Sequence, residues 1–115
     1  MLKKKFQPAI NGFLFGLQHR SIRVQFVLGL LAVLAGLLLK LTYHEWLAVI
    51  VCIGMVVLTE YLNTAIEFVC NYLTEKRDEK IRIIKDVSAG GVLVASLTSL
   101  ITAVVILTHH ILEVL

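Results

Sequence analysis

Residues 87–108 read VSAGGVLVASLTSLITAVVILT, twenty-two positions without a charged side chain. At about 1.5 Å per residue, a helix of that length crosses a hydrocarbon core of roughly 30 Å. Two further apolar segments precede it. Val24–Leu39 gives 16 uncharged residues, and Trp46–Thr59 gives 14 before the apolar character continues past Glu60 and Glu67 to Tyr72. The pattern predicts three transmembrane helices over 24–40, 46–73 and 87–108, joined on one side by a charged loop over 74–86.

The bulk composition agrees. Of 115 residues, 58% are apolar and 17% charged, against about 45–50% and 25% in ordinary soluble domains. Mean hydropathy is +0.88. A compact soluble fold of this size would expose much of that excess, which monomeric soluble proteins avoid. A disordered chain would be poor in apolar residues. The expected class is a single all-α integral membrane domain. Cys52 and Cys70 both lie in apolar segments and read as lipid-buried thiols rather than a disulfide framework. The single proline, Pro8, precedes every span, and the first 23 residues carry no continuous apolar core of a cleavable signal.

Residues 1–23 have a different period. Phe6, Ile10, Phe13 and Leu17 fall at i, i+4, i+7 and i+11, while Lys3, Lys4, Lys5, Gln7, Asn11 and Gln18 lie largely elsewhere. This predicts an amphipathic helix lying on the membrane surface, either as an anchor alone or with a share in the active site. Charge then sets direction. Lys3, Lys4, Lys5, Arg20 and Arg23 precede the first span, and Lys76, Arg77, Lys80, Arg82 and Lys85 lie between the second and third. Ten of the eleven basic residues thus fall on one side, with Lys40 alone on the other. By the positive-inside rule the N-terminus is cytoplasmic and the C-terminus outside. The net charge of +3 is therefore a topology signal, and a nucleic-acid partner is not expected.

The second span carries the chemistry. Glu60, Asn63, Glu67 and Asn71 sit at i, i+3, i+7 and i+11, which places them within an arc of roughly 80° at about 100° per residue. Measured from Trp46 as an outer interfacial anchor, Glu60 lies about 21 Å along the helix and Glu67 about 31 Å. The first is then in the cytoplasmic half of the membrane and the second near its surface. Ionisable residues in hydrocarbon normally face a protein interior or a water-filled cavity. Two carboxylates near a water interface suit a divalent cation or a proton-abstracting base. The alternatives are a neutral Glu60 bonding another helix and a merely interfacial Glu67.

Between the spans, Glu75, Lys76, Arg77, Asp78, Glu79 and Lys80 read as a solvated face. Lys85 and Asp86 abut the third span at the level of Glu67. A lysine there can hold phosphate as a point charge, and Asp86 is expected to cap the third helix or to bind a cation. Ser88, Gly91, Ala95 and Ser99 on the third span, with Ala32 and Gly36 on the first, form small-residue surfaces that allow close helix approach in lipid. Three spans alone hardly enclose a polar site, so homo-oligomerisation is expected.

Glu60-Tyr-Leu-Asn-Thr-Ala-Ile-Glu67, followed by Lys85-Asp86-Val-Ser-Ala-Gly-Gly-Val-Leu93, resembles the signature of the small prokaryotic diacylglycerol kinase family. The Ser-Ala-Gly-Gly-Val-Leu run is more similar to its Gram-positive undecaprenol kinase branch. The resemblance covers nearly the whole chain. It implies a homotrimeric lipid kinase of the bacterial inner or plasma membrane that transfers the γ-phosphate of MgATP to a lipid hydroxyl at the cytoplasmic interface. Undecaprenol is the first expectation as acceptor and diacylglycerol the second. By position, Glu60 matches the catalytic base and Asn63 a residue supporting the site. Glu67 matches the carboxylate that binds Mg²⁺ with the nucleotide. Lys85 and Asp86 match phosphate contacts, and Arg23 matches an arginine at the hinge of the surface helix. Two departures stand out. The segment Gln18-His19-Arg20-Ser21-Ile22-Arg23 lacks the family's usual metal-sharing glutamate, leaving His19 as a substitute metal ligand, and Asn71 stands where aspartate is common. Two other readings compete: a catalytically weak nucleotide- or lipid-binding accessory protein, and a small ion-coupled transporter with Glu60 as its ion site.

Overall fold

The computed structural model describes residues 2–115 as four helices: α1 (Leu2–Gly16), α2 (Arg20–Leu39), α3 (Tyr43–Leu73) and α4 (Glu79–Val114). The last three are each long and apolar enough to cross a membrane. α3 and α4, with 31 and 36 residues, extend for about 46 and 54 Å, well beyond a core of roughly 30 Å.

Two boundaries differ from the expectation, each for a local reason. The first helix stops at Gly16 instead of continuing to residue 23. The Gln18 and His19 N–H groups turn back onto the Phe15 and Gly16 carbonyls (3.1 and 3.0 Å), tightening the last turn. His19 is then extended (φ −90°, ψ 129°) as the N-cap of α2, so Arg20 and Arg23 belong to that helix. The charged segment expected as a loop over 74–86 is irregular only at Thr74–Asp78. Asp78 Oδ1 accepts the Lys80 and Ile81 N–H groups (2.9 and 3.2 Å) and starts α4 there. Asp86 is therefore not a cap. It lies two turns inside α4, where Arg82 bonds both Asp86 (2.8 Å) and Glu79. Charges alternating at i, i+3 and i+4 make a helical ladder as readily as a solvated loop.

The α2–α3 turn is closed by caps. Lys40 takes the left-handed conformation (φ 55°, ψ 60°), and its N–H returns to the Gly36 carbonyl. Thr42 and Glu45 form a reciprocal capping box, with the Thr42 N–H donating to Glu45 Oε1 at 2.9 Å and the Glu45 N–H to Thr42 Oγ1 at 3.3 Å. Both Glu45 oxygens also lie close to His110 Nε2 (3.0 and 3.1 Å), tying the start of α3 to the end of α4. Beneath this turn Gly36 is buried, and a Cβ there would come within 2.8 Å of Trp46 Cη2 and 2.9 Å of Leu41 Cδ1. Gly36→Val therefore drives the indole out of its seat. The expected result is a red-shifted emission of Trp46, the one tryptophan of the chain, with an overpacking cost of about 1–3 kcal/mol read by thermal unfolding in detergent.

α3 is the central element, packed against both α2 and α4. The molecule measures 57 × 42 × 19 Å, a slab too thin to cover its own apolar surface. Among the described residues the buried apolar side chains are Ile22, Val56, Cys70 and Ala95. Cys52 and Cys70 are both free thiols. The small residues expected to permit close packing do so in part: Gly36 packs under Trp46 and Ala95 is buried, whereas a Cβ on Gly91 would meet nothing within 4 Å; Gly29, outside that set, meets Ile53 Cγ2 at 3.0 Å measured from its would-be Cβ. A groove of about 460 Å³ runs between α2, α3 and α4, with Gly29, Ala32, Val56, Ser96, Ser99 and Ala103 in its walls.

Candidate functional site: a polar stripe on α3 meeting the start of α4

The stripe on α3 is graded in exposure. Glu60 is 7% exposed, Asn63 half-buried, and Glu67 and Asn71 exposed. The helical period places all four on one face, and the groove residues Val49, Ile53 and Val56 continue that face toward the other end of α3. Glu60 thus sits where an apolar groove gives way to a polar strip. No side chain among the described residues hydrogen-bonds its carboxylate, and Thr64, one turn on, is also buried. Its oxygens are not among the enclosed atoms without a partner, so the carboxyl end still reaches the surface of the stripe and is open to a ligand.

The next members are connected. Asn63 Nδ2 donates to Glu67 Oε1 at 3.3 Å, while the Asn63 Oδ1 atom is buried without a partner. Lys85 Nζ donates to Asn71 Oδ1 at 2.7 Å, joining the beginning of α4 to the end of α3 across fourteen positions of chain. Asn71 lies one turn, about 6 Å, beyond Glu67. The fold therefore brings Glu67, Asn71 and Lys85 to one level, with Glu60 about 10 Å deeper along α3.

The other expected site residues are placed differently. Asp86 is engaged by Arg82 on its own helix. Arg23 is exposed on the first turn of α2, its backbone N–H bonded to the His19 carbonyl (3.1 Å). His19 is enclosed by aromatic rings, edge-on to Phe68 at 5.2 Å and 5.7 Å from Phe15. Among the described residues no three His, Cys, Asp or Glu side chains converge as a metal cage. The arrangement is instead open: exposed Glu67 has one oxygen on Asn63 Nδ2 and one without a hydrogen bond, while the Asn63 carbonyl oxygen is enclosed. One exposed carboxylate is too little for a closed site, and it suits a hard divalent cation only if most of the cation's ligands come from elsewhere.

Two contacts escaped the sequence reading. The Lys85–Asn71 bond is one, since a separation of fourteen carries no short-range period. The other is the docking of α1 on α3, where the Tyr61 hydroxyl donates to the Phe13 carbonyl at 2.7 Å. Its only trace in the sequence is a glycine, Gly16, that ends α1 against the Tyr61 ring.

Comparison with known proteins gives this arrangement a context. An undecaprenol kinase from Bacillus subtilis (strain 168) is 34% identical over 73 residues, which cover 64% of this chain and 59% of that protein. The family described as prokaryotic diacylglycerol kinase matches residues 7–107. That range takes in most of α1, both central helices, the whole α3 stripe and the Lys85 end of α4, and the chain is accordingly a membrane protein that belongs to the prokaryotic diacylglycerol kinase family.

Proposed function

We propose that the protein is an ATP-dependent lipid kinase that transfers the γ-phosphate of MgATP to the hydroxyl of a membrane lipid, undecaprenol first and diacylglycerol second. The observation that carries this reading is the unpartnered, buried Glu60 in line with Glu67 and with the Lys85 that α4 delivers to the same stripe.

In this reading the Glu60 carboxylate accepts the proton of the lipid hydroxyl as its oxygen bonds to the γ-phosphorus, and the bond from that phosphorus to the ADP oxygen breaks. Asn63 orients Glu67, and Lys85 lies against the polyphosphate as a compact positive charge. Glu67 together with the nucleotide would hold Mg²⁺, which would supply charge neutralisation on the phosphate oxygens. Phosphoryl transfer asks mostly for positioning and charge neutralisation, so this short inventory suffices.

The proposed working unit is a homotrimer in the bacterial plasma membrane, with the N-terminus and the α3–α4 loop cytoplasmic, the C-terminus outside and α1 lying amphipathically on the inner surface. The α2–α3–α4 groove and the exposed face of Glu67 support assembly. The gathering of ten basic residues at one end supports the orientation.

The test is phosphate transfer from labelled ATP by the purified protein in mixed micelles containing undecaprenol or diacylglycerol, with Mg²⁺ or Mn²⁺. Labelled lipid phosphate is expected, more from undecaprenol. No labelled lipid from either acceptor with either cation overturns the reading.

A further inference from the structure

Tyr61 follows Glu60 in the chain but lies about 100° round α3, on the face that receives α1. Its hydroxyl bonds the Phe13 carbonyl at 2.7 Å, a contact between residues 48 apart. That carbonyl belongs to the last turn of α1, where helical partners run out. The Leu17 N–H reaches it only at 3.3 Å and is shared with the Leu14 carbonyl at 3.2 Å. The Tyr61 hydroxyl therefore caps α1 from a different helix.

Packing reinforces the bond. The Phe13 and Tyr61 rings stack at 6.0 Å with 11° between their planes, and Phe26 meets Phe13 edge-on at 5.9 Å. Gly16 is buried under the Tyr61 ring. A Cβ there would collide with Tyr61 Cε1 and stand 2.8 Å from Cζ, so the ring lies flat only because residue 16 has no side chain. Further along α3, Phe68 contacts Phe15 at 5.7 Å. These contacts seat α1 beside the helix that carries Glu60, next to a groove of about 620 Å³ with Gly12, Gly54 and Ala65 in its walls.

We propose that Tyr61 is a positioning residue: by pinning the end of α1 to α3 one residue from Glu60, it sets the height at which a lipid hydroxyl is held against the base. The proposal rests on the lipid-kinase reading. Nothing in it concerns the nucleotide, whose contacts gather around Glu67 and Lys85, so the acceptor and ATP respond separately.

Tyr61→Phe removes the hydroxyl and keeps the ring. Two measurements are made on the full chain in nanodiscs. Amide hydrogen exchange of the last turn of α1 is expected to rise about fivefold, the factor carried by one net hydrogen bond, with α4 unchanged. In the kinase assay the KM for the lipid is expected to rise by about the same factor, while the KM for ATP stays within about twofold. Unchanged α1 exchange overturns the pin, and a lipid KM that does not move, or that moves together with the ATP KM, overturns the positioning role. A wild-type protein that phosphorylates no lipid overturns the kinase reading instead, and the exchange measurement then still decides whether Tyr61 holds α1.

Discussion

Glu60→Gln is expected to lower lipid phosphorylation by about 10²–10⁴-fold, the usual contribution of a general base, while nucleotide binding stays within about twofold. The substitution is nearly isosteric, and the carboxylate it replaces has no hydrogen-bond partner among the described residues, so no internal contact is broken. The amide carries no negative charge and cannot take the acceptor's proton. Glu60 also lies about 10 Å along α3 from Glu67, which leaves the proposed nucleotide contacts in place. Turnover from labelled ATP and equilibrium binding of a nucleotide analogue check the two halves separately. Retained turnover removes Glu60 as the base. Lost nucleotide binding moves Glu60 into the phosphate site. A variant that no longer folds is recognised by its helical circular dichroism, and Glu60→Ala, which leaves space where the amide would bond, then repeats the comparison.

The parts of this molecule that were legible in its sequence are those governed by one helix at a time. Hydropathy runs in 87–108 and 24–39 gave helices because lipid requires each span to satisfy its own backbone. The alignment of Glu60, Asn63, Glu67 and Asn71 followed from the 3.6-residue period alone. What stayed hidden depends on two elements meeting. Lys85 reaches Asn71 only because α3 and α4 run antiparallel from a five-residue turn, Thr74–Asp78. The Tyr61–Phe13 bond joins residues 48 apart and leaves no periodic signal. The capping role expected of Asp86 failed differently. Asp78 is followed by Glu79 and Lys80 whereas Asp86 abuts Val87, so hydropathy favours Asp86. The hydrogen bonds favour Asp78, because a helix can begin in water and enter the membrane two turns later. The contacts of the His19 ring with Phe15 and Phe68 likewise join separate elements and leave no periodic signal.

Lys85→Met should be the second severe variant, with kcat/KM for ATP reduced about 10²-fold, the scale for loss of one charged group that stabilises a transferring phosphoryl. Methionine keeps the length and apolar stem of lysine without the charge, so α4 packing is retained. Asn71 gives the control. Its Oδ1 accepts from Lys85 Nζ at 2.7 Å, a neutral partner that fixes the ammonium without cancelling its charge. Asn71→Leu frees the lysine and should raise the KM for ATP about fivefold, the worth of one ordinary hydrogen bond. If Asn71 acts only through Lys85, the double variant is no worse than Lys85→Met alone, because the amide has nothing left to hold. Two independent roles would instead multiply the effects to about 500-fold. The four-variant cycle of ATP kinetics therefore separates a positioning amide from a direct phosphate or metal contact, and the 2.7 Å bond leads us to expect the non-multiplicative result.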